Sequence, residues 1–183
     1  VLMSRFSYCF ASPEGSDYPP ILQHHAIVAG TPFGTSGAGG TISALPFNMQ
    51  HGNIQALGFR VGGVAYSPDV NGLDDTALAA LEGLDLWIVD ALRRTPHSSH
   101  FSLPETLRWI ERLRPRRAIL TNMHIDLDYD TLCRELPSHV KPAYDGLVSE
   151  SETASPALRW PFRLRHSWPQ RLQSHKQAAR PKS

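Results

Sequence analysis

Short apolar runs that alternate with helix patterns are the feature of this sequence that most constrains its fold. Residues 84–89, LDLWIV, form an apolar run typical of a buried strand, and residues 118–120 form the next one. Between them, Ser102 and Glu105 make a capping box with a proline in the first helical turn. A strand, a helix and a second strand in this order predict a layered α/β domain. The apolar residues of the helix share one face: Leu103, Leu107, Ile110 and Leu113.

The first part of the chain has the pattern of short antiparallel strands separated by turns. Gly and Pro residues interrupt its apolar runs, and Gly62-Gly63 is a two-residue hairpin signal. Together with the later elements, this predicts an α/β fold of the α+β type. The other predicted strands are 26–28, 42–45, 57–61, 64–66 and 143–147, and the other predicted helices are 74–81 and 128–136.

Charge divides the chain into an acidic domain and a basic tail. Residues 1–150 carry 11 Lys and Arg against 16 Asp and Glu, a balance of −5, and residues 151–183 carry 7 against 1, a balance of +6. The second segment has no long apolar run, so we expect one domain followed by a disordered tail. The tail, with Trp160, Phe162 and Trp168, could contact nucleic acid or an anionic membrane, or it is a solvated or out-of-register extension. The acidic balance of the domain argues against a broad phosphate-binding face there.

Composition also argues against several classes of protein. No window holds 18 consecutive apolar residues, so we predict no membrane-spanning helix and no membrane partner. The first residues lack a secretory pattern. Cys9 and Cys133 are too few for a disulfide framework or a cysteine-based zinc site. We therefore expect a cytoplasmic protein with free thiols.

Polar residues that follow the apolar runs are candidates for a functional site. Loops at the carboxyl ends of strands are where α/β folds place binding groups. Histidine and aspartate are ligands for zinc, manganese or iron, and such ions can activate water near neutral pH. Taken singly, a histidine in a loop is more often a surface or capping residue, and an aspartate after a strand is usually a turn or N-cap residue. Spacing alone names no metal. The candidates are His51, Asp69, Asp90, His97, His100, His124 and Asp126.

Three stretches of the sequence resemble a known family. They are PFNMQHGNIQALGFRVGGVAYSPDV, LDLWIVDALRRTPHSSHFSLPETLRWIERLRPRRAILTNMHIDLDY and PAYDGL. Their order and spacing are similar to the C-terminal two-thirds of a metallo-β-lactamase-fold hydrolase. The nearest branch is the phosphoribosyl 1,2-cyclic phosphate phosphodiesterase type, close to the tRNA 3′-processing ribonucleases. The resemblance covers roughly residues 5–149 and implies an αββα sandwich with two divalent metal ions, zinc or manganese, between its sheets.

The resemblance also implies roles for individual residues. The metal ligands of the family fall on His51, Asp69 and His124, with Asp69 bridging both ions. The proton donor falls on His100, with His97 as the alternative. Asp90, at a strand end near the loop of His100, would orient a histidine, or it is a helix- or loop-capping carboxylate. Asp126 and Asp128 beside His124 would support the site through hydrogen bonds, and Asp128 is equally well explained as the cap of the following helix. The implied reaction is metal-assisted hydrolysis of a small phosphodiester substrate, in which His100 protonates the leaving oxygen.

One motif of the family does not occur in the sequence. The first metal motif, His-x-His-x-Asp-His, is not found, and His24-His25 and His97-Ser-Ser-His100 do not have its spacing. We therefore expect that the chain starts after this motif, that the sandwich is incomplete and that activity is impaired. The alternatives are a non-catalytic remnant of the fold and a tRNA-processing-type nuclease or nucleic-acid-binding module. An exposed sheet edge would also favour pairing with another chain, for example as a homodimer.

Overall fold

The computed structural model describes residues 1–149, which form one sheet with helices packed against it. The predicted tail at 151–183 lies outside the described residues. The strands are β1 (Phe33–Gly37), β2 (Gly40–His51), β3 (Ile54–Val61), β4 (Val64–Ser67), β5 (Leu86–Asp90), β6 (Arg117–Thr121) and β7 (Val140–Pro142). The helices are α1 (Leu2–Arg5), α2 (Ser7–Phe10), α3 (Asp75–Ala80), α4 (Leu103–Leu113) and α5 (Tyr129–Glu135). Within residues 1–149, none of the helices has the length and apolarity needed to cross a membrane.

The strands lie side by side in chain order, and their directions decide which strand ends meet. Strands β1 to β4 are antiparallel neighbours, whereas β4 to β7 are parallel neighbours. Because β2 and β4 both run antiparallel to β3, strand β2 runs in the same direction as β4, β5 and β6. The carboxyl ends of these four strands therefore lie at one edge of the sheet. His51, Asp69, Asp90 and Thr121 occur at or just after these ends.

Helices pack on one face of the sheet. Successive side chains of a strand point to opposite faces, and the apolar side chains of the central strands that point towards the helices are buried. On this face, Trp87 and Val89 of β5 belong to the same buried cluster as Leu120 of β6. On the opposite face, Tyr66 is 44% exposed, and Ile88 is only partly buried. The predicted α/β class is thus confirmed, and the layered mixed sheet is consistent with a metallo-β-lactamase fold. The helices contribute Ala77, Ala80, Leu103, Ile110 and Leu132 to the buried cluster.

Two predicted strands are wrong. Residues 26–28 form no strand, and the chain turns directly after them, with Thr31 N–H donating to the Val28 carbonyl and with Gly30 at φ 79°. Residues 143–147 also form no strand, because Asp145 and Gly146 form a turn in which Gly146 has φ 88°. Aspartate followed by glycine favours such turns. The last strand instead precedes this turn and pairs with β6.

A glycine in β3 is required by the ring of Phe47, which lies opposite it in β2. Gly58 and Phe47 are cross-strand partners, and a Cβ added at Gly58 would collide with Cε2 and Cζ of the buried ring. We expect Gly58→Ala to lower the free energy of unfolding by about 1–3 kcal/mol, as overpacking typically does. Urea denaturation measures this. The control is Gly39→Ala, in the β1–β2 turn, where a Cβ meets nothing within 4 Å. Equal losses in both variants would contradict the prediction.

The predicted capping box at the start of α4 is confirmed. The carboxylate of Glu105 accepts hydrogen bonds from the backbone N–H of Ser102 at 2.8 Å and from its hydroxyl at 2.5 Å. The hydrogen bonds from Ser102 hold the pKa of Glu105 below its ordinary value of 4.5. This arrangement fixes the first turn of the helix that follows His100.

Removal of the capping carboxylate is expected to have a pH-dependent effect. A lowered pKa in the folded state stabilises the protein above the ordinary pKa, and this contribution is lost as the pH falls through the folded value. We expect Glu105→Ala to lower the free energy of unfolding by about 1 kcal/mol at neutral pH. The difference should shrink well below pH 4.5. Thermal unfolding at the two pH values measures it, with Glu111→Ala on the exposed side of α4 as the control. A difference that grows on acidification would contradict this assignment.

Candidate functional site

Three side chains from distant parts of the sequence meet at the carboxyl edge of the sheet. His51 ends β2, Asp69 follows β4, and His100 lies in the loop between β5 and α4. One ligand-type atom from each of them lies within 4.8 Å of the others. The rings of His51 and His100 meet edge to face, with centroids 4.7 Å apart. These three residues are called the His–Asp cluster below.

The ring of His51 is oriented by the loop that carries His100. Its Nδ1 lies 2.8 Å from the carbonyl oxygen of Ser99. A carbonyl oxygen can only accept, so Nδ1 carries the proton and donates it. In the neutral ring, Nε2 then keeps a free lone pair, which is the form in which histidine binds metal ions.

The ring of His100 is held by a buried carboxylate. Its Nδ1 lies 2.6 Å from Oδ2 of Asp90, which is completely buried and also accepts from Val70 N–H at 3.3 Å. Oδ1 of Asp90 has no hydrogen-bond partner among residues 1–149. Burial raises the pKa of Asp90 to about 6, and the hydrogen bond from His100 partly opposes this rise. Asp90 therefore orients His100 in the way that carboxylates orient the histidines of metal and catalytic sites.

Asp69 is supported by a residue that the sequence did not single out. Nδ2 of Asn122 donates to the Pro68 carbonyl at 2.7 Å and lies 3.2 Å from Oδ1 of Asp69. Asn122 follows β6 directly and has φ 58°, a left-handed conformation that asparagine tolerates better than most residues. The signal that could have identified it is the one used for Asp90, a polar residue at the end of a buried strand.

His124 and Asp126 lie outside the His–Asp cluster in this structure. The side chain of His124 is 58% exposed, and its Nδ1 lies 2.8 Å from Oδ1 of Asp126. The hydrogen bond with His124 lowers the pKa of Asp126. The structure therefore brings together two of the three ligands implied by the resemblance and adds His100 to them. The third lies on the neighbouring loop, two residues after Asn122.

His97, the alternative to His100, also lies outside the His–Asp cluster. Its ring centroid is 5.3 Å from that of His100. Desolvation and the nearby charge of Arg93 lower the pKa of His97, which favours the neutral ring. His97 is not part of the three-residue set, and its Nδ1 lies 3.3 Å from the backbone N–H of Ser99.

The donors of the His–Asp cluster fit one divalent metal ion. Two imidazole nitrogens and one carboxylate form the ligand type of several catalytic zinc sites, which leave the remaining positions to water or substrate. The same set also suits non-haem iron. The fit is strengthened by Ser99 and Asp90, because both hold Nδ1 of a cluster histidine and leave Nε2 available.

A comparison with protein families gives one match that includes this site. The model described as a β-lactamase superfamily domain matches residues 1–125, a range that contains the whole His–Asp cluster and His124. The octanoyltransferase of Porphyromonas gingivalis is a curated relative, 24% identical over 151 residues. The match covers 80% of this chain but 29% of that protein.

Two solved structures have a fold similar to that of this chain. A diphosphatase of the PhnP family is 29% identical with a TM-score of 0.68, and the match covers 83% of this chain and 55% of that one. The metallo-β-lactamase-fold protein YhfI of Bacillus subtilis is 17% identical with a TM-score of 0.59, over 79% of this chain and 60% of that one. The chain thus spans less than two thirds of each of these three proteins.

Proposed function

The chain belongs to the β-lactamase superfamily, and on this basis we propose that it is the metal-binding part of a metal-dependent phosphodiester hydrolase. The observation that carries the proposal is the convergence of His51, Asp69 and His100 within 4.8 Å at one edge of the sheet. Proteins of the metallo-β-lactamase fold generally bind divalent metal ions, and this donor set suits them.

We assign metal binding to His51 and Asp69. Asp69 supplies a carboxylate fixed by Asn122, and His51 supplies Nε2 because its Nδ1 is tied to Ser99. His124 is the further ligand that the resemblance implies. To join them, its ring would have to leave Asp126, a change that is open to an exposed side chain on a loop. A divalent ion bound here would lower the pKa of water and offset the negative charge of a phosphodiester.

The geometry alone would also allow Nε2 of His100 to bind the ion, but we assign proton transfer to His100, the role that the resemblance implies for it. Its Nδ1 donates to Asp90, so Nε2 is the atom that would carry a proton to the leaving oxygen. The ring lies close enough to His51 and Asp69 to reach a phosphodiester held there. Asp90 keeps the ring in this orientation through the hydrogen bond to Nδ1.

The substrate class proposed is a small phosphodiester, cyclic phosphates included. Two observations support it: the 29% identity to a diphosphatase of the PhnP family and the pairing of metal donors with a carboxylate-oriented histidine. The chain covers 55% of that diphosphatase. Donors for one ion, rather than for two, are found as a group among residues 1–149.

The experiment measures metal content and turnover in the same samples. We expect the chain, after incubation with Zn²⁺ or Mn²⁺ and desalting, to retain metal by elemental analysis and to hydrolyse bis(p-nitrophenyl) phosphate. His100→Ala should retain the metal and lose turnover by about 100-fold or more, the usual effect of losing a general acid. EDTA should abolish turnover in the unaltered chain.

The control variant is His139→Ala, an exposed histidine that precedes β7 and lies outside the His–Asp cluster. It should match the unaltered chain in metal content and in turnover. If the unaltered chain retains no metal, the reading as a non-catalytic remnant of the fold replaces the proposal. If His100→Ala loses the metal as well, His100 is a ligand and not the proton donor.

A further inference from the structure

We propose that Asn71 is the positioning residue that locks His51 and His100 into one site. Asn71 lies two residues after Asp69, in the segment between β4 and α3. The inference rests on the proposed function in one respect, since it assumes that Nε2 of His51 binds a metal ion. The contacts of Asn71 stand independently of that use.

The side-chain amide of Asn71 connects two loops. Its Oδ1 accepts from the backbone N–H of Gly52 at 3.0 Å, and its Nδ2 donates to the carbonyl of Ser98 at 2.8 Å. A backbone N–H can only donate and a carbonyl can only accept, so the orientation of the amide is fixed by its partners. One bond reaches the residue after His51, and the other reaches the loop that ends in His100.

The segment around Asn71 is itself anchored to the end of β2. The backbone N–H of Asn71 donates to the carbonyl of Gln50 at 2.8 Å, and Gln50 N–H donates to the carbonyl of Gly72 at 2.9 Å. On the other side, Phe101 N–H donates to the carbonyl of Val70 at 2.7 Å. Backbone hydrogen bonds therefore hold the segment of Asn71 in place between the two loops that its side chain connects.

The two loops are packed closely where Asn71 holds them. A Cβ added at Gly52 would lie 3.1 Å from Cβ of Ser99, and Gly52 has φ +62°, a conformation that suits glycine in a tight turn. This close approach places the carbonyl of Ser99 where Nδ1 of His51 can donate to it. If Asn71 did not hold the loop, the acceptor of His51 would move. The ring would then lose the proton position that leaves Nε2 available for a metal ion.

The test follows the proton position on His51 directly. In the metal-free, ¹⁵N-labelled chain, long-range ¹H–¹⁵N spectra report which ring nitrogen of each histidine is protonated. We expect the Nδ1-protonated form for His51 in the unaltered chain and its loss in Asn71→Ala. Binding of Zn²⁺, measured by calorimetry, should weaken by about 10- to 100-fold, the usual effect of removing a residue that holds a ligand in place.

Two further variants make the result specific. Asn71→Asp keeps the size of the side chain and the oxygen that accepts from Gly52. It replaces the donor to Ser98 with a carboxylate oxygen, which cannot donate to that carbonyl and is repelled by it. His51 should therefore again lose its Nδ1-protonated form. Asn53→Ala changes an exposed asparagine in the β2–β3 turn, next to Gly52. It should leave the proton position on His51 and the Zn²⁺ affinity unchanged. The folded state of each variant is checked by its backbone spectrum.

The outcomes separate this inference from the proposed function. If His51 keeps its Nδ1-protonated form in folded Asn71→Ala, or in folded Asn71→Asp should the alanine variant not fold, the inference is overturned. If the unaltered chain binds no Zn²⁺, the proposed function fails. The proton position on His51 still decides the role of Asn71 in that case, because it is measured without metal.

Discussion

Replacement of Asp69 by alanine is expected to remove bound metal and hydrolytic activity together. Asp69 is the carboxylate of the His–Asp cluster, and its loss leaves imidazole donors alone at the site. Loss of a residue that merely orients a ligand already weakens metal binding by about 10- to 100-fold, so loss of the ligand itself should weaken it by more than about 100-fold. Elemental analysis and the hydrolysis of bis(p-nitrophenyl) phosphate measure the two effects.

Asp69→Asn is the matched variant for this prediction. It keeps the size of the side chain and an oxygen that can accept from Nδ2 of Asn122, but it removes the negative charge. We expect it to fold normally and still to lose the metal. Asp75→Ala, at the exposed start of α3, is the acidic control and should retain the metal. Full metal content in Asp69→Ala would exclude Asp69 as a ligand.

Replacement of Trp87 by alanine is expected to have the largest effect on stability. The side chain is completely buried, and its Nε1–H donates to the buried hydroxyl of Ser67 at 3.1 Å. Its neighbours across the sheet, Ala65 and Ala118, are small and leave room for the indole ring. A cavity of this size typically costs about 3–5 kcal/mol, which is a large fraction of the stability of an ordinary domain, about 5–15 kcal/mol. Urea denaturation at 25 °C measures the loss.

Trp109→Ala is the control for the effect of losing a tryptophan as such. Trp109 lies on α4, is only partly buried and packs beside Phe101 and under the guanidinium of Arg112. We expect a clearly smaller loss of stability there, because less apolar surface leaves the core. Similar losses in the two variants would show that Trp87 is not the centre of the core. The stability of β4 and β5 also matters for the site, since Asp69 follows the end of β4 and Asp90 is the last residue of β5.

Local signals account for the elements that were predicted correctly. The capping box at Ser102 and Glu105 and the hairpin at Gly62-Gly63 depend on residues within a few positions of one another. Their geometry is therefore decided by the segment itself. The wrong strand at 143–147 shows the limit of such signals. Its apolar residues suggested a strand, but the Asp145-Gly146 turn outweighs them, and β6 pairs with the preceding residues instead.

The sequence by itself determined the α/β class, the strand–helix–strand order around α4, the family resemblance and the set of polar residues at strand ends, because each of these depends on neighbouring residues or on their spacing. It did not determine which of those residues meet. His51 and His100 come together because β2 runs in the direction of β5 and because Asn71 connects their loops. Strand direction, register and hydrogen bonds between distant loops are properties of the packed chain, so the tertiary structure alone decided the composition of the site.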